Sequence, residues 1–122
     1  MIKVMLVEDN HIMMELLRTL FEIEGFKVIS LATGKDILIK IRHDKPDIVL
    51  LDVHLKDDSG KEISGFDLLR QIRQDAGVKD AKIIMSSGID FRDKSVQEGA
   101  DGFIHKPYMP NDLINLIKQT MA

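Results

Sequence analysis

Asp52 closes an unbroken apolar run. Ile48, Val49, Leu50 and Leu51 precede it with no polar lead-in, inside the stretch DIVLLDVHL from Asp47 to Leu55. A carboxylate in that place can act as a nucleophile, hold a cation, or simply open a turn. Three other stretches carry complementary chemistry: the acidic pair Glu8-Asp9 after MIKVMLV, the hydroxyls Ser86-Ser87 after KIIM, and Lys106-Pro107 after GFIH. Glu8, Asp9 and Asp52, if brought together, repel one another unless a cation, a salt bridge or a raised pKa offsets the charge. Mg²⁺ suits such a cluster, because it takes one or two carboxylates, keeps several waters and leaves room for phosphate oxygens. Lys106 offers a compact charge for a carboxylate or phosphoryl oxygen, and Ser87 a hydroxyl donor. Together these are parts for phosphoryl transfer to a carboxylate. Each also has a plainer role: Glu8-Asp9 as a charge pair at a helix N-terminus, Ser87 as a cap, Lys106-Pro107 as a loop pair.

The elements that must position these residues alternate along the chain. Short runs rich in Ile, Val, Leu and Phe predict strands at Ile2 to Val7, Phe26 to Leu31, Ile48 to Leu51, Ile83 to Met85 and Gly102 to Ile104. Helical patterns fall between them. Asn10 is the expected cap of a first helix with Met13, Leu16, Leu17, Leu20 and Phe21 inward, ended by Gly25. Thr33 is the expected cap of a second, with Ile37, Leu38 and Ile41 inward and Pro46 beyond its end. A third starts near Gly65 with Phe66, Leu69 and Ile72 on one face; a last one, capped by Asn111, carries Leu113, Leu116 and Ile117. Between Asp90 and Glu98 only Phe91 and Val96 are apolar, which predicts a short, loosely held fourth helix. Five strands alternating with five helices imply an α/β fold, a doubly wound parallel sheet covered on both faces. Ligands of such sheets bind beyond the carboxyl ends of the strands, where Glu8-Asp9, Asp52, Ser87 and Lys106 all fall.

Composition narrows the function classes. The chain reads as one domain over residues 1–122, with 44% apolar and 30% charged residues. No apolar run approaches the ~20 residues of a membrane span. The N-terminus turns acidic too soon for a signal peptide, and the lack of cysteine fits a cytoplasmic protein. A net charge of -3 with scattered lysines and arginines argues against direct nucleic-acid contact. His11, His43 and His105 are not paired at metal-ligand spacing, and the seven methionines sit mainly at core-like positions.

The stretches MLVEDN, PDIVLLD, IIMSSG and HKP resemble, in order and spacing, the four signatures of response-regulator receiver domains of two-component signalling. The resemblance covers essentially the whole chain. It implies a flavodoxin-like, chemotaxis-regulator-like five-stranded sheet in the order 2-1-3-4-5. It implies Asp52 as phosphoacceptor, and Mg²⁺, with Mn²⁺ as a substitute, held by Asp9, Glu8, Asp52 and the backbone carbonyl of His54. Ser87 and Lys106 would hold the phosphoryl group, and Phe103 would occupy the aromatic switch position. The expected donor is a sensor histidine kinase or a histidine phosphotransfer protein. The face of the fourth helix, fifth strand and fifth helix would then switch an output domain or partner protein, and is the family's usual homodimer surface. The chain would be a phosphoacceptor that promotes its own phosphotransfer and autodephosphorylation, not a true enzyme.

Three departures stand out. Lys56 takes the usual proline position, and about five extra residues before Gly65 place Lys56, Asp57, Asp58, Lys61 and Glu62 on a longer loop beside Asp52. Phe103 lacks the hydroxyl of the commoner tyrosine. Ser86 and Ser87 are adjacent, and strand alternation points them to opposite sides, with the spacing favouring Ser87. Two competing classes are an aspartate-nucleophile phosphatase and a phosphate-independent interaction module. The phosphatases resemble one another in a second Asp two residues past the first, where this chain has His54; the intact acidic pair, Ser87 and Lys106 speak against the second class. A free-standing regulator and the first domain of a longer protein both remain open.

Overall fold

The computed structural model describes residues 1–122. The chain forms β1 (Lys3–Val7), α1 (His11–Ile23), β2 (Lys27–Leu31), α2 (Ile37–Asp44), β3 (Ile48–Asp52), β4 (His54–Lys56), β5 (Glu62–Ser64), α3 (Gly65–Gln74), β6 (Lys82–Ser87), α4 (Arg92–Gln97), β7 (Gly102–His105) and α5 (Pro110–Met121). Five strands make one parallel sheet in the order β2-β1-β3-β6-β7. Once the small antiparallel pair β4-β5 is set aside, this is the order 2-1-3-4-5 of a doubly wound, flavodoxin-like sheet with five helices.

Period-two side-chain alternation sorts the core into two layers. Met5, Val49, Leu51, Ile83, Met85 and Phe103 face α2 and α3, where Ile37, Ile41, Phe66, Leu69 and Ile72 close over them. Val4, Leu6, Ile48, Leu50, Ile84 and Ile104 face α1 and α5, covered by Met14, Leu17, Phe21, Leu113, Ile114 and Ile117. The inner strand β3 is buried on both faces until Asp52, which is only half-buried. At the edge of the sheet opposite Asp52, Arg73 locks the strand entrances. Its guanidinium donates to the carbonyls of Lys79, Ala81 and Gly99 at 2.7, 2.6 and 2.9 Å and to Asp101 at 2.8 Å.

Several local expectations hold. The Asn10 side chain accepts from the Met13 N–H at 2.9 Å, and Gly25, at φ +85°, ends α1 in the left-handed region. α4 is short, six residues long. Others need correction. On α1 the inward face runs through Met14, Leu17 and Phe21, while Met13 and Leu16 are exposed. Thr33 does not cap α2. Its hydroxyl donates to Asp58 at 2.6 Å, and the helix opens only after Asp36, whose φ of 57° is left-handed. Asn111 is not the cap of α5: Pro110 takes the first helical position, where its missing N–H is harmless, and extended Met109 precedes it. In α4, Val96 is exposed and Ser95 is the buried residue.

The stretch expected to be a loop is a hairpin. His54 pairs with Ser64, Leu55 with Ile63 and Lys56 with Glu62. Leu55 is buried and Ile63 half-buried toward the body, so His54, Lys56, Glu62 and Ser64 face outward. Asp57 builds the turn by accepting from the N–H groups of Ser59 and Lys61, both at 2.9 Å, with Gly60 at φ +85°. The hairpin is tethered to the segment after β2, where the Gly34 N–H donates to the Lys56 carbonyl at 2.9 Å and Lys35 lies 3.5 Å from Asp58.

Gly65 joins the hairpin to α3 against the backbone of Asp52. Its N–H donates to the Val53 carbonyl at 2.8 Å. A Cβ there would collide with the Asp52 carbonyl oxygen and stand 3.0 Å from Val53 Cα, and neither backbone atom can swing away. Gly65→Ala should therefore lower folding stability by about 1–3 kcal/mol, the usual range for overpacking. Chemical denaturation checks this; an unchanged midpoint would show that the backbone of Asp52 is freer than its packing indicates.

Candidate functional site

Three strand ends and the hairpin bring the site together. β1 delivers Glu8 and Asp9, β3 delivers Asp52, β7 leads into Lys106, and the chain folds back after Asp52 into His54. Glu8, Asp9, Asp52, His54 and Lys106 line one cavity of about 360 Å³, together with Thr33, Lys56, Asp57 and Asp58. Five of the seven residues singled out from sequence thus share one space. Ser87 and Phe103 are not among its walls.

Asp52 is held at both carboxylate oxygens. Oδ1 accepts from the backbone N–H of His54 at 3.1 Å, and Oδ2 accepts from the Lys106 ammonium. The second contact joins β3 to the end of β7 across the intervening strand β6. Lys106 is itself fixed, because its N–H donates to the Ser87 carbonyl at 2.8 Å. The Lys106–Pro107 peptide bond is cis. Glu8 turns its carboxylate back to accept from the Asn10 N–H at 3.0 Å, and Asp9 is exposed.

The two serines part as alternation requires. Ser86 is the register partner of Asp52, and Ser87 follows it; both are buried. The Ser87 hydroxyl accepts from the Ile89 N–H at 3.1 Å, which leaves its own proton available to a further acceptor. Phe103 lies in the core, 8% exposed, with the Arg92 guanidinium 6.0 Å from its ring centroid. His54 presents an exposed side chain.

Two wall carboxylates belong to the hairpin and are committed within it. The Ser59 hydroxyl foremost, and then the Lys61 N–H, hold the Asp57 carboxyl below its usual range. The Thr33 hydroxyl does the same for Asp58, with help from the Lys35 charge. Glu8, Asp9, Asp52 and the His54 carbonyl offer oxygen donors suited to a hard cation. No three acidic or histidine side chains form a ready-made metal cage.

Tyr108 escaped the sequence reading. It is half-buried against the α1–α5 layer, two residues past Lys106. Burial foremost, then the negative charges of Glu8 and Asp52, push its phenol up from 10.0 to about 12. Its one sequence signal was adjacency to Lys106-Pro107.

A sequence profile described as response regulator receiver domain matches residues 4–118. The chain is 29% identical to the polar-differentiation response regulator DivK of Brucella anthropi, an alignment covering 98% of this chain and 95% of that one. In structure it is similar to a CheY-like response regulator receiver domain protein from Methanospirillum hungatei, with TM-score 0.83 and 27% identity over 99% of this chain and 94% of that one. It also shares its fold with the chemotaxis response regulator CheY4 of Vibrio cholerae, with TM-score 0.84 and 22% identity over 98% of each chain.

Tyr108 is the sole tyrosine and there is no tryptophan, so phenolate absorbance reports on this corner of the site alone. The midpoint in the folded chain should lie near 12, against 10.0 for an unperturbed phenol. Asp52→Asn removes one of the charges that raise it, so the midpoint should fall while staying above 10.0 because burial persists. The sign for stability follows from linkage. The raised value favours the neutral phenol in the fold, so its contribution is full below pH 10.0 and is lost as pH rises toward 12. A wild-type midpoint near 10.0, with circular dichroism showing the chain folded, would contradict the placement of Tyr108 beside these carboxylates.

Proposed function

We propose that this chain, which belongs to the response regulator receiver domain family, works as a signalling phosphoacceptor on Asp52. The observation that carries the reading is the double hold on Asp52: a backbone N–H on one oxygen and an ammonium on the other, inside a cavity open to solvent. A carboxylate so oriented is fixed in direction yet reachable, as a nucleophile must be.

In this reading a phosphohistidine on a sensor kinase or phosphotransfer protein is the donor. An Asp52 oxygen forms the new P–O bond as the donor's P–N bond breaks, and the electron pair leaves on the imidazole nitrogen. Asp9, Glu8, Asp52 and the His54 carbonyl are the residues that would hold Mg²⁺. When bound, the ion supplies charge that offsets the carboxylates and the phosphoryl oxygens. Lys106 releases Asp52 and pairs with a phosphoryl oxygen, while Ser87 donates its free proton to another. These shifts draw on the loops after β6 and β7, which lead into α4 and α5, and on β7 itself, which carries Phe103. That is the face through which the phosphorylated state would reach an output or a second copy. The exposed His54 side chain stands beside Asp52, where water must approach to hydrolyse the acyl phosphate.

Incubation with phosphoramidate and Mg²⁺ tests the reading. The wild-type chain should gain one phosphoryl group, and Asp52→Asn none, with the fold of the variant unchanged by circular dichroism. Stoichiometric labelling of Asp52→Asn would refute the assignment. For the metal, Mg²⁺ should raise the melting temperature by binding the folded chain alone. Asp9→Ala should lose most of that response, and a full response in Asp9→Ala would remove Asp9 from the metal set.

A further inference from the structure

The cavity around Asp52 is crowded with negative charge. Five acidic residues line it, Glu8, Asp9, Asp52, Asp57 and Asp58, against two lysines, Lys56 and Lys106. A phosphoryl donor is itself anionic, so repulsion opposes its approach.

The two lysines differ in what they already hold. Lys106 is committed to the Asp52 carboxylate. Lys56 forms no ion pair and its ammonium donates no hydrogen bond. The acidic residues nearest to it in sequence are engaged elsewhere: Asp57 with Ser59 and Lys61, Asp58 with Thr33 and Lys35. Glu62 sits opposite Lys56 in the hairpin register yet makes no ion pair with it. The backbone of Lys56 is fixed by the Gly34 N–H on its carbonyl at 2.9 Å. Alternation puts its side chain on the same outward side of β4 as His54, with buried Leu55 between them. The hairpin therefore holds the backbone of Lys56 at the wall of the acceptor cavity, with its charge uncommitted.

We infer that Lys56 is a donor-binding residue, whose ammonium pairs with the non-transferred oxygens of the incoming phosphoryl group. The inference rests on Asp52 being the phosphoacceptor. With phosphoramidate as donor, an Asp52 oxygen forms the P–O bond as the P–N bond breaks. The electron pair stays on the nitrogen, which already carries three protons and leaves as ammonia. Lys56 neither gains nor loses a proton; it lowers the repulsion that the donor meets.

The test compares second-order rates of phosphorylation by phosphoramidate for the full chain and its Lys56→Gln, Lys56→Glu and Lys56→Arg variants. At low ionic strength Lys56→Gln should be about three- to fivefold slower, the worth of one partly screened ion pair. Lys56→Glu should be slower still, and Lys56→Arg should recover most of the loss. The gap between wild type and Lys56→Gln should narrow in ~1 M salt, where screening acts over ~3 Å. Mg²⁺ titration supplies a second readout. Removing a cation from an acidic cavity should tighten Mg²⁺ binding in Lys56→Gln while phosphorylation slows. Equal rates for wild type and Lys56→Gln at low salt would overturn the role of Lys56 and leave Asp52 standing. Slower phosphorylation with equally weakened Mg²⁺ binding would also overturn it, as general damage to the site. A wild-type chain that takes no phosphoryl group would overturn both the role of Lys56 and the reading on which it rests.

Discussion

The ion pair between Asp52 and Lys106 ties two strand ends that are 54 residues apart in sequence and separated in the sheet by β6. Most of the site's geometry follows from that contact. For Asp52 to meet it, β3 must be buried on both faces up to Leu51 and then release a single half-buried carboxylate. For the other oxygen to meet the His54 N–H, the chain must turn at once, which it does with the Val53 N–H donating to the Ser86 carbonyl at 2.9 Å. That turn is tight enough that Gly65 has to lack a side chain. A charge so placed loses some hydration, and the ammonium and amide restore part of what water supplied.

The two edges of the sheet are held in different ways. The strand entrances are fixed by Arg73, whose donors reach four acceptors on two segments, the connections that lead into β6 and β7. The carboxyl edge is fixed by a pair whose members both remain open to the cavity. Beside it, α4 has the thinnest packing: Ser95 is its one buried residue, and the Ser95 hydroxyl has no hydrogen-bond partner. α4 is otherwise anchored at its margins. Phe91 packs edge-on against Phe66 at 5.6 Å, the Lys94 ammonium lies 4.8 Å from the Phe66 ring centroid, and Arg70 reaches Glu98 at 2.8 Å. An element held by few buried contacts opens at low free energy, which suits a segment that must respond to chemistry at Asp52.

Much of this was legible from residue types. The sheet was, because Ile48 to Leu51 and Ile83 to Met85 are buried on both faces and so read as continuous apolar runs. The meeting of Glu8, Asp9, Asp52 and Lys106 was, because residues at the carboxyl ends of parallel strands share one edge. The inner face of α1 was not. Ile12, Met13, Met14, Leu16, Leu17, Leu20, Phe21 and Ile23 surround nearly the whole helix, so periodicity alone could not choose Met14 over Met13. Thr33 read as a cap because its hydroxyl suits one, but Asp58, 25 residues on, takes that hydroxyl instead. The hairpin was hidden because each strand is three residues long, with Leu55 and Ile63 as its only period-two signal and no Asn-Gly or Asp-Gly turn.

The central claim is that Asp52 carries the phosphoryl group as an acyl phosphate. Borohydride reduces an acyl phosphate to an alcohol and leaves a free carboxylate or a phosphate ester intact. Wild-type chain treated with phosphoramidate and Mg²⁺, then borohydride, should yield a peptide with homoserine in place of Asp52 and unmodified aspartate at every other position. An unaltered Asp52, with the phosphoryl group found on a serine, threonine or histidine, would contradict the account.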